Sequence, residues 1–268
     1  MKNSIKNIVI TALAMIALAC SDTEVTPDPT QGLVKISDGY ALGAEAKVEV
    51  WAKEELFAGY NELYIVLYDS ANGDQITESH VHLYPEMTMM SGMSHSCPVE
   101  DPINEEANNS LFPAGVMFSM PSGDMGYWKL NVRVHNHHNG KTGSADLDVS
   151  VANPVTPRMR SFVSGEEKFY VGYRFTGEVK VGVNPFDVIA FRKQGDYYTP
   201  AEDLAFRIAP EMPSMDHGSP NNVDPVHTDR GHYLGKVNFT MTGLWRVHLD
   251  VLQDNELIQE MSFDTTIE

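Results

Sequence analysis

Methionine, histidine and cysteine gather in two short windows of this 268-residue chain. One reads Pro210-Glu211-Met212-Pro213-Ser214-Met215-Asp216-His217; an earlier one reads Pro85-Glu86-Met87-Thr88-Met89-Met90, followed by Met93, His95 and Cys97. Thioether, imidazole and thiolate are soft to borderline donors that suit copper, Cu(I) above all. Six of the fourteen methionines lie in these windows, among Pro, Gly, Ser and Asp, where no helix or strand period asks for an apolar residue. In the later window Met212 and Met215 stand three apart, His217 follows, and His227 and His232 lie beyond Asp224-Pro225. A loop of that length can fold back and set Met and His around one ion. In the earlier window Met87, Met90 and His95 hold the corresponding places, with Met93 and Cys97 as further soft donors. His80 and His82, two apart on the preceding strand, share a face, and His82 joins the candidate ligands. His135, His137 and His138 form another cluster at a hairpin tip, a weak accessory site or a solvated turn. The methionines can equally be packing that plugs the end of a sandwich.

The elements that would position these donors read as strands. Residues 46–51, 62–69, 79–84, 115–120, 128–134 and 145–151 are short, rich in Val and aromatics, and partly alternating; 168–175, 178–183, 188–192, 204–208, 236–241, 245–251 and 260–266 follow suit. Asn72-Gly73 and Asn139-Gly140 are hairpin signals. The order repeats. Gly126-Tyr127-Trp128 matches Gly243-Leu244-Trp245, Asp101-Pro102 matches Asp224-Pro225, and each Met window sits between the same neighbours. Two copies of such a unit make tandem domains rather than a solenoid. The expected architecture is all-β: two tandem Ig-like β-sandwiches over residues 32–153 and 158–268, divided at Asn153-Pro154-Val155-Thr156-Pro157, where two prolines disfavour a central strand.

The chain begins with Lys2 and Lys6, then an apolar run from Ile8 to Ala19 that is too short to span a bilayer. Small residues lead into Cys20, so residues 1–20 resemble a bacterial lipoprotein signal with Cys20 as the lipidated residue. The acidic stretch Ser21-Asp22-Thr23-Glu24 resembles the surface-export signal of Bacteroidetes lipoproteins, and residues 21–31 read as a flexible tether. The expected location is the cell envelope, with the lipid as the membrane anchor. Formal charge is −18, and −20 once Lys2 and Lys6 leave with a signal that carries no acidic residue. That sign argues against nucleic acid and anionic lipid surfaces as partners. With Cys20 lipidated, Cys97 has no intramolecular disulfide partner.

No nucleophile elbow, phosphate loop or HExxH appears, and a binding protein is expected rather than an enzyme. Calcium needs six to eight oxygen ligands, which neither loop assembles.

Met212-Pro213-Ser214-Met215-Asp216-His217, then Gly231-His232-Tyr233-Leu234-Gly235 and Met241-Thr242-Gly243-Leu244-Trp245, resemble the YtkA-like family. The resemblance is close from Leu204 to Val251 and looser in the first half, where Thr88 stands in place of Pro213. It implies exported β-sandwiches of metal-handling type, with Met212, Met215 and His217, and their counterparts Met87, Met90 and His95, as ligands. The expected function is copper handling, delivery or sequestration, with an envelope metal transporter or metalloenzyme assembly factor as partner. The alternative is a non-metal surface module that binds protein or glycan through its loops.

Overall fold

The computed structural model describes residues 28–268. The expected export signal, Cys20 and most of the expected tether therefore lie outside the described residues.

The first unit contains β1 (Val34–Ala41), β2 (Ala46–Ala52), β3 (Gly59–Asp69), β4 (Ser79–Met89), β5 (Ser94–His95), β6 (Val99–Glu100), β7 (Phe112–Phe118), β8 (Gly126–Asn136) and β9 (Lys141–Val149). A single 3-10 turn, Leu42–Ala44, joins β1 to β2. The strands form two antiparallel sheets, ordered β1-β2-β3-β7-β6 and β5-β4-β8-β9. Their inner faces supply one buried cluster, with Val48, Ile65 and Phe112 from one sheet and Leu83, Leu130 and Val132 from the other. Alternation decides which face goes in. Along β4, Val81, Leu83 and Met87 are buried while His82, Tyr84 and Glu86 are exposed.

The second unit contains β10 (Met159–Ser164), β11 (Glu167–Phe175), β12 (Gly182–Gln194), β13 (Tyr197–Pro200), β14 (Leu204–Met212), β15 (His217–Gly218), β16 (Val223–Asp229), β17 (His232–Phe239), β18 (Gly243–Gln253) and β19 (Glu256–Ile267). Its sheets are ordered β10-β11-β12-β17-β16, with β13 added against β12, and β15-β14-β18-β19. Apart from β13 this is the strand order of the first unit, and the two also share local devices. The Asn61 amide bridges Phe57 and Gly59 as the Asn184 amide bridges Lys180 and Gly182. The Asp101 carboxylate accepts from Leu83 N at 2.8 Å, and that of Asp224 accepts from Ile208 N at 2.9 Å. Trp128 donates its indole N–H to the Met120 carbonyl, and Trp245 donates to that of Met241.

The predicted strand at 178–183 does not form. Asn184 ties the backbone at Lys180 and Gly182 into a turn, and β12 starts only at Gly182. The edge strands β1 and β10 escaped sequence reading because both are largely polar and exposed. Backbone pairing to β2 and β11 holds them, not an alternating apolar face.

A third buried cluster lies between the units, with Tyr60 and Met117 from the first against Tyr170, Ile189 and Phe191 from the second. No helix among the described residues is long and apolar enough to cross a membrane.

Candidate metal site

The two Met windows fold as the short hairpins β4–β5 and β14–β15. Their registers place Met87 opposite His95 and Met212 opposite His217. Directly opposed residues in an antiparallel pair point to the same face, so each unit brings one methionine and one histidine side by side. The grouping stops there. Met87 is fully buried and Met212 is 3% exposed, and each belongs to the core of its own sandwich. Their methyl groups lie over Gly126 and Gly243, where an added Cβ would approach to 3.1 Å in both cases. Met90, Met93 and Met215 lie outside the strands and are well exposed. A pair split between core and solvent does not surround one ion, so the expected Met212/Met215/His217 and Met87/Met90/His95 sets are not assembled. The reason is the period of the strand: Met87 and Met212 are inward-facing residues near the ends of β4 and β14, whereas Met90 and Met215 fall in the turns beyond.

The remaining expected ligands do not gather around a common point either. His95 sets its ring edge against Trp128 at 5.4 Å, and His217 is exposed. Cys97 is buried in the first core, where burial pushes its thiol well above the usual range; it stays protonated, unlike a metal-binding thiolate. His82 is exposed and paired with Asp101 at 3.0 Å. His227, on β16, packs against Tyr233 with its Nε2 3.9 Å from Glu202. His232, on β17, spans the two units between Glu100 and Asp187, at 2.9 Å from each carboxylate. His227 and His232 stand on a different sheet from Met212 and His217.

A different set of histidines does converge. His80, second residue of β4, is the register partner of His135 on β8, and both point outward from the four-stranded sheet. His137 follows β8 at the turn before β9. Asn136, fully buried, ties that turn by donating to the Ala44 carbonyl and accepting from His138 N. The Ser79 hydroxyl donates to the His135 carbonyl at 2.8 Å, which fixes the strand ends. The result places His80 Nδ1 3.4 Å from His135 Nδ1 and 3.3 Å from His137 Nε2. The three rings stand 4.6 to 5.5 Å apart, centre to centre. All three are half-buried, and one ligand atom from each lies within 4.8 Å of the others.

Glu105 completes the cluster. Its backbone carbonyl accepts from Ser79 N, which delivers the side chain to the neighbouring His80. One carboxylate oxygen lies 2.5 Å from His80 Nε2, and the other lies 3.9 Å from His137 Nδ1. The His80 bond holds the Glu105 carboxyl below its ordinary range. The donor set fits a metal ion. A tetrahedral ion with metal–nitrogen bonds of about 2.0–2.1 Å separates its ligand atoms by roughly 3.3–3.4 Å, the spacing around His80 Nδ1. A carboxylate behind a ligating imidazole is also the usual outer partner of such a site.

In the sequence, His80 and the His135/His137/His138 cluster stand as separate groups. The chain joins them only through the β4–β8 register, across 55 residues. The signal that links them is a His-x-His at the facing ends of two strands, His80-Val81-His82 and His135-Asn136-His137, where one histidine of the first pair meets both of the second. His82 and the exposed His138 remain outside. Glu105 comes from an irregular segment and carries no motif.

No curated protein matches the chain. Among solved structures, the Escherichia coli adhesin FdeC aligns at 14% identity over 84% of this chain and 65% of that one, with a TM-score of 0.27. Domains 5–6 of the S-layer protein SbsC align at 10% identity over 88% of this chain and 97% of that one, TM-score 0.25. The chicken interferon gamma receptor alpha chain aligns at 9% identity over 86% and 98%, TM-score 0.24. This chain spans just under two thirds of the length of the adhesin structure it matches. The YtkA-like family model matches residues 173–250, from near the end of β11 through most of β18, so this part of the second sandwich is similar to the YtkA-like family.

Proposed function

We propose that this protein is an envelope-anchored lipoprotein that binds a transition-metal ion, copper first among the candidates, and handles or sequesters it rather than catalysing a reaction. The observation that carries the reading is the convergence of His80, His135 and His137, with nitrogens 3.3 and 3.4 Å apart around His80 Nδ1. Imidazole suits copper, zinc and nickel, and among divalent ions copper binds such donors most strongly. The YtkA-like match of the second sandwich supports the same reading from the other half of the chain. The lipid anchor rests on the residues before Cys20, and delivery to an envelope transporter or assembly factor follows from that location.

The test is titration of the mature chain, carrying Cys20→Ser to keep it soluble, with Cu(II) and with Zn(II). One equivalent is expected at the triad. The His80→Ala, His135→Ala double variant should lose it, while His82→Ala should not. Wild-type stoichiometry and affinity in the double variant would remove the assignment.

One observation favours a second reading, a surface module that binds protein or glycan without metal: Met87 and Met212 serve as core packing beneath their loops. That reading expects no metal uptake at all, so the same titration separates the two.

A further inference from the structure

The triad contains no sulfur, and one carboxylate hydrogen-bonds its central ring. We propose that Glu105 is the positioning residue of this site, presenting the bare Nδ1 of His80 to the ion, and that the site takes a borderline divalent cation, of the Zn(II) or Cu(II) class, in preference to Cu(I). The inference rests on the metal-binding reading of the triad and gives the kind of ion it holds.

A carboxylate only accepts hydrogen bonds, so the ring nitrogen beside it carries the proton. Glu105 lies against His80 Nε2 at 2.5 Å, which puts that proton on Nε2 and leaves Nδ1 with a free lone pair. That bare nitrogen is the atom on which the other two rings converge, His137 Nε2 at 3.3 Å and His135 Nδ1 at 3.4 Å. An ion held there gains the His80 lone pair directly. Glu105 therefore chooses the His80 tautomer a metal needs, and at 3.9 Å from His137 Nδ1 it adds negative charge beside a second ring without bonding to it.

The choice of ion follows from donors and charge. Three neutral imidazoles with a carboxylate behind them match a dication, whereas Cu(I) is drawn to thiolate and thioether, which this cluster lacks. The sulfur donors of the first unit are elsewhere. Met87 and Cys97 lie in the core, and Met90 and Met93 lie beyond the far end of β4 from His80. Side-chain exposures of 43% at His80 and 23% at His137 leave one side of the cluster open, so water or an incoming donor completes the coordination and the ion can exchange.

The experiment uses Co(II) as a spectroscopic probe, followed by Zn(II), on the mature chain and on Glu105→Ala and Glu105→Gln. Wild type should give the intense visible absorption of tetrahedral Co(II), displaced by Zn(II) and left in place by one equivalent of Cu(I) under anaerobic conditions. Glu105→Ala should weaken Zn(II) binding by about 10–100-fold and alter the Co(II) spectrum. Glu105→Gln keeps an acceptor for His80 Nε2–H and should recover part of the loss. Unchanged affinity and spectrum in Glu105→Ala overturn the role of Glu105, and displacement of Co(II) by equimolar Cu(I) overturns the divalent preference; both leave metal binding intact. No binding by wild type, or binding that His135→Ala does not disturb, overturns the metal-binding reading itself.

Discussion

A methionine in a Pro- and Ser-rich loop suggests a ligand because nothing local demands an apolar side chain there. At Met87 and Met212 the demand comes from outside the loop. Each is an inward residue near the end of its strand and helps close one end of a sandwich, in the same core as the indole of Trp128 or Trp245. The roles of ligand and core residue give opposite outcomes on mutation. Met212→Ala should destabilise the protein by about 2–5 kcal/mol, the usual range for emptying a core site, and Met212→Leu by less than about 1.5 kcal/mol. Both should leave metal stoichiometry unchanged. Urea unfolding beside metal titration checks this, and a lost equivalent in Met212→Leu would restore the loop as a site. Cys97 belongs to the same argument: buried and protonated, it should react with thiol reagents only as fast as the domain opens, with full labelling in denaturant.

Among the elements, the hairpins do most of the positioning. The registers Met87↔His95 and His80↔His135 come from backbone pairing along β4, so one strand holds the packed Met–His pair at one end and the triad at the other. The Gly126 and Gly243 turns let β8 and β18 begin close against those methionines. Gly243 has φ of +125°, a conformation most side chains resist, and its added Cβ would press on the Met212 methyl. Gly243→Ala should therefore lose about 1–3 kcal/mol through backbone strain, read as a lower urea midpoint. A neutral result would mean that the turn relaxes freely. At this scale sequence reading did well wherever apolar alternation was strong, as in β4, β8 and β18. It failed at β1 and β10, whose residues are chosen by an edge rather than a core.

For the whole molecule the decisive feature is the seam between sandwiches. Apolar packing of Tyr60 and Met117 on Tyr170, Ile189 and Phe191 is flanked by a chain of charges. Lys53 pairs with Glu62, Glu62 with Arg174, Arg174 with Asp187, Asp187 with His232, and His232 with Glu100, which also accepts from the Tyr60 hydroxyl. Three carboxylates and three cations leave this chain neutral, which is what a partly buried network requires. Burial alone would lower the His232 pKa, but the bonds to Asp187 and Glu100 outweigh it and raise it to about 9. The proton is therefore held more tightly in the folded protein than in the unfolded chain. Its stabilising contribution is full below about pH 6.5 and disappears as the pH rises through about 9. The expected loss over that window is on the order of 3 kcal/mol. His232→Gln should flatten the slope, measured as the difference between the two unfolding curves from pH 6 to 9.5. Equal slopes would show that the bridge does not couple folding to this proton.

Local chemistry was enough to determine several things about this chain. Strand-forming residues with period two and an almost complete lack of helical patterning made it all-β, and the Met-Pro-x-Met-x-His run with the Gly-x-Trp pair marked the similarity to the YtkA-like family within residues 173–250. Those signals survive because each is written in neighbouring residues. Which histidines meet was decided only by the fold. His80 reaches His135 through a strand register that joins residues 55 positions apart in sequence, Glu105 arrives from an irregular segment tied to Ser79, and His232 is claimed by Glu100 of the other sandwich. Each of these contacts depends on pairing geometry and burial over long separations, and one-residue steps along the chain carry no record of either.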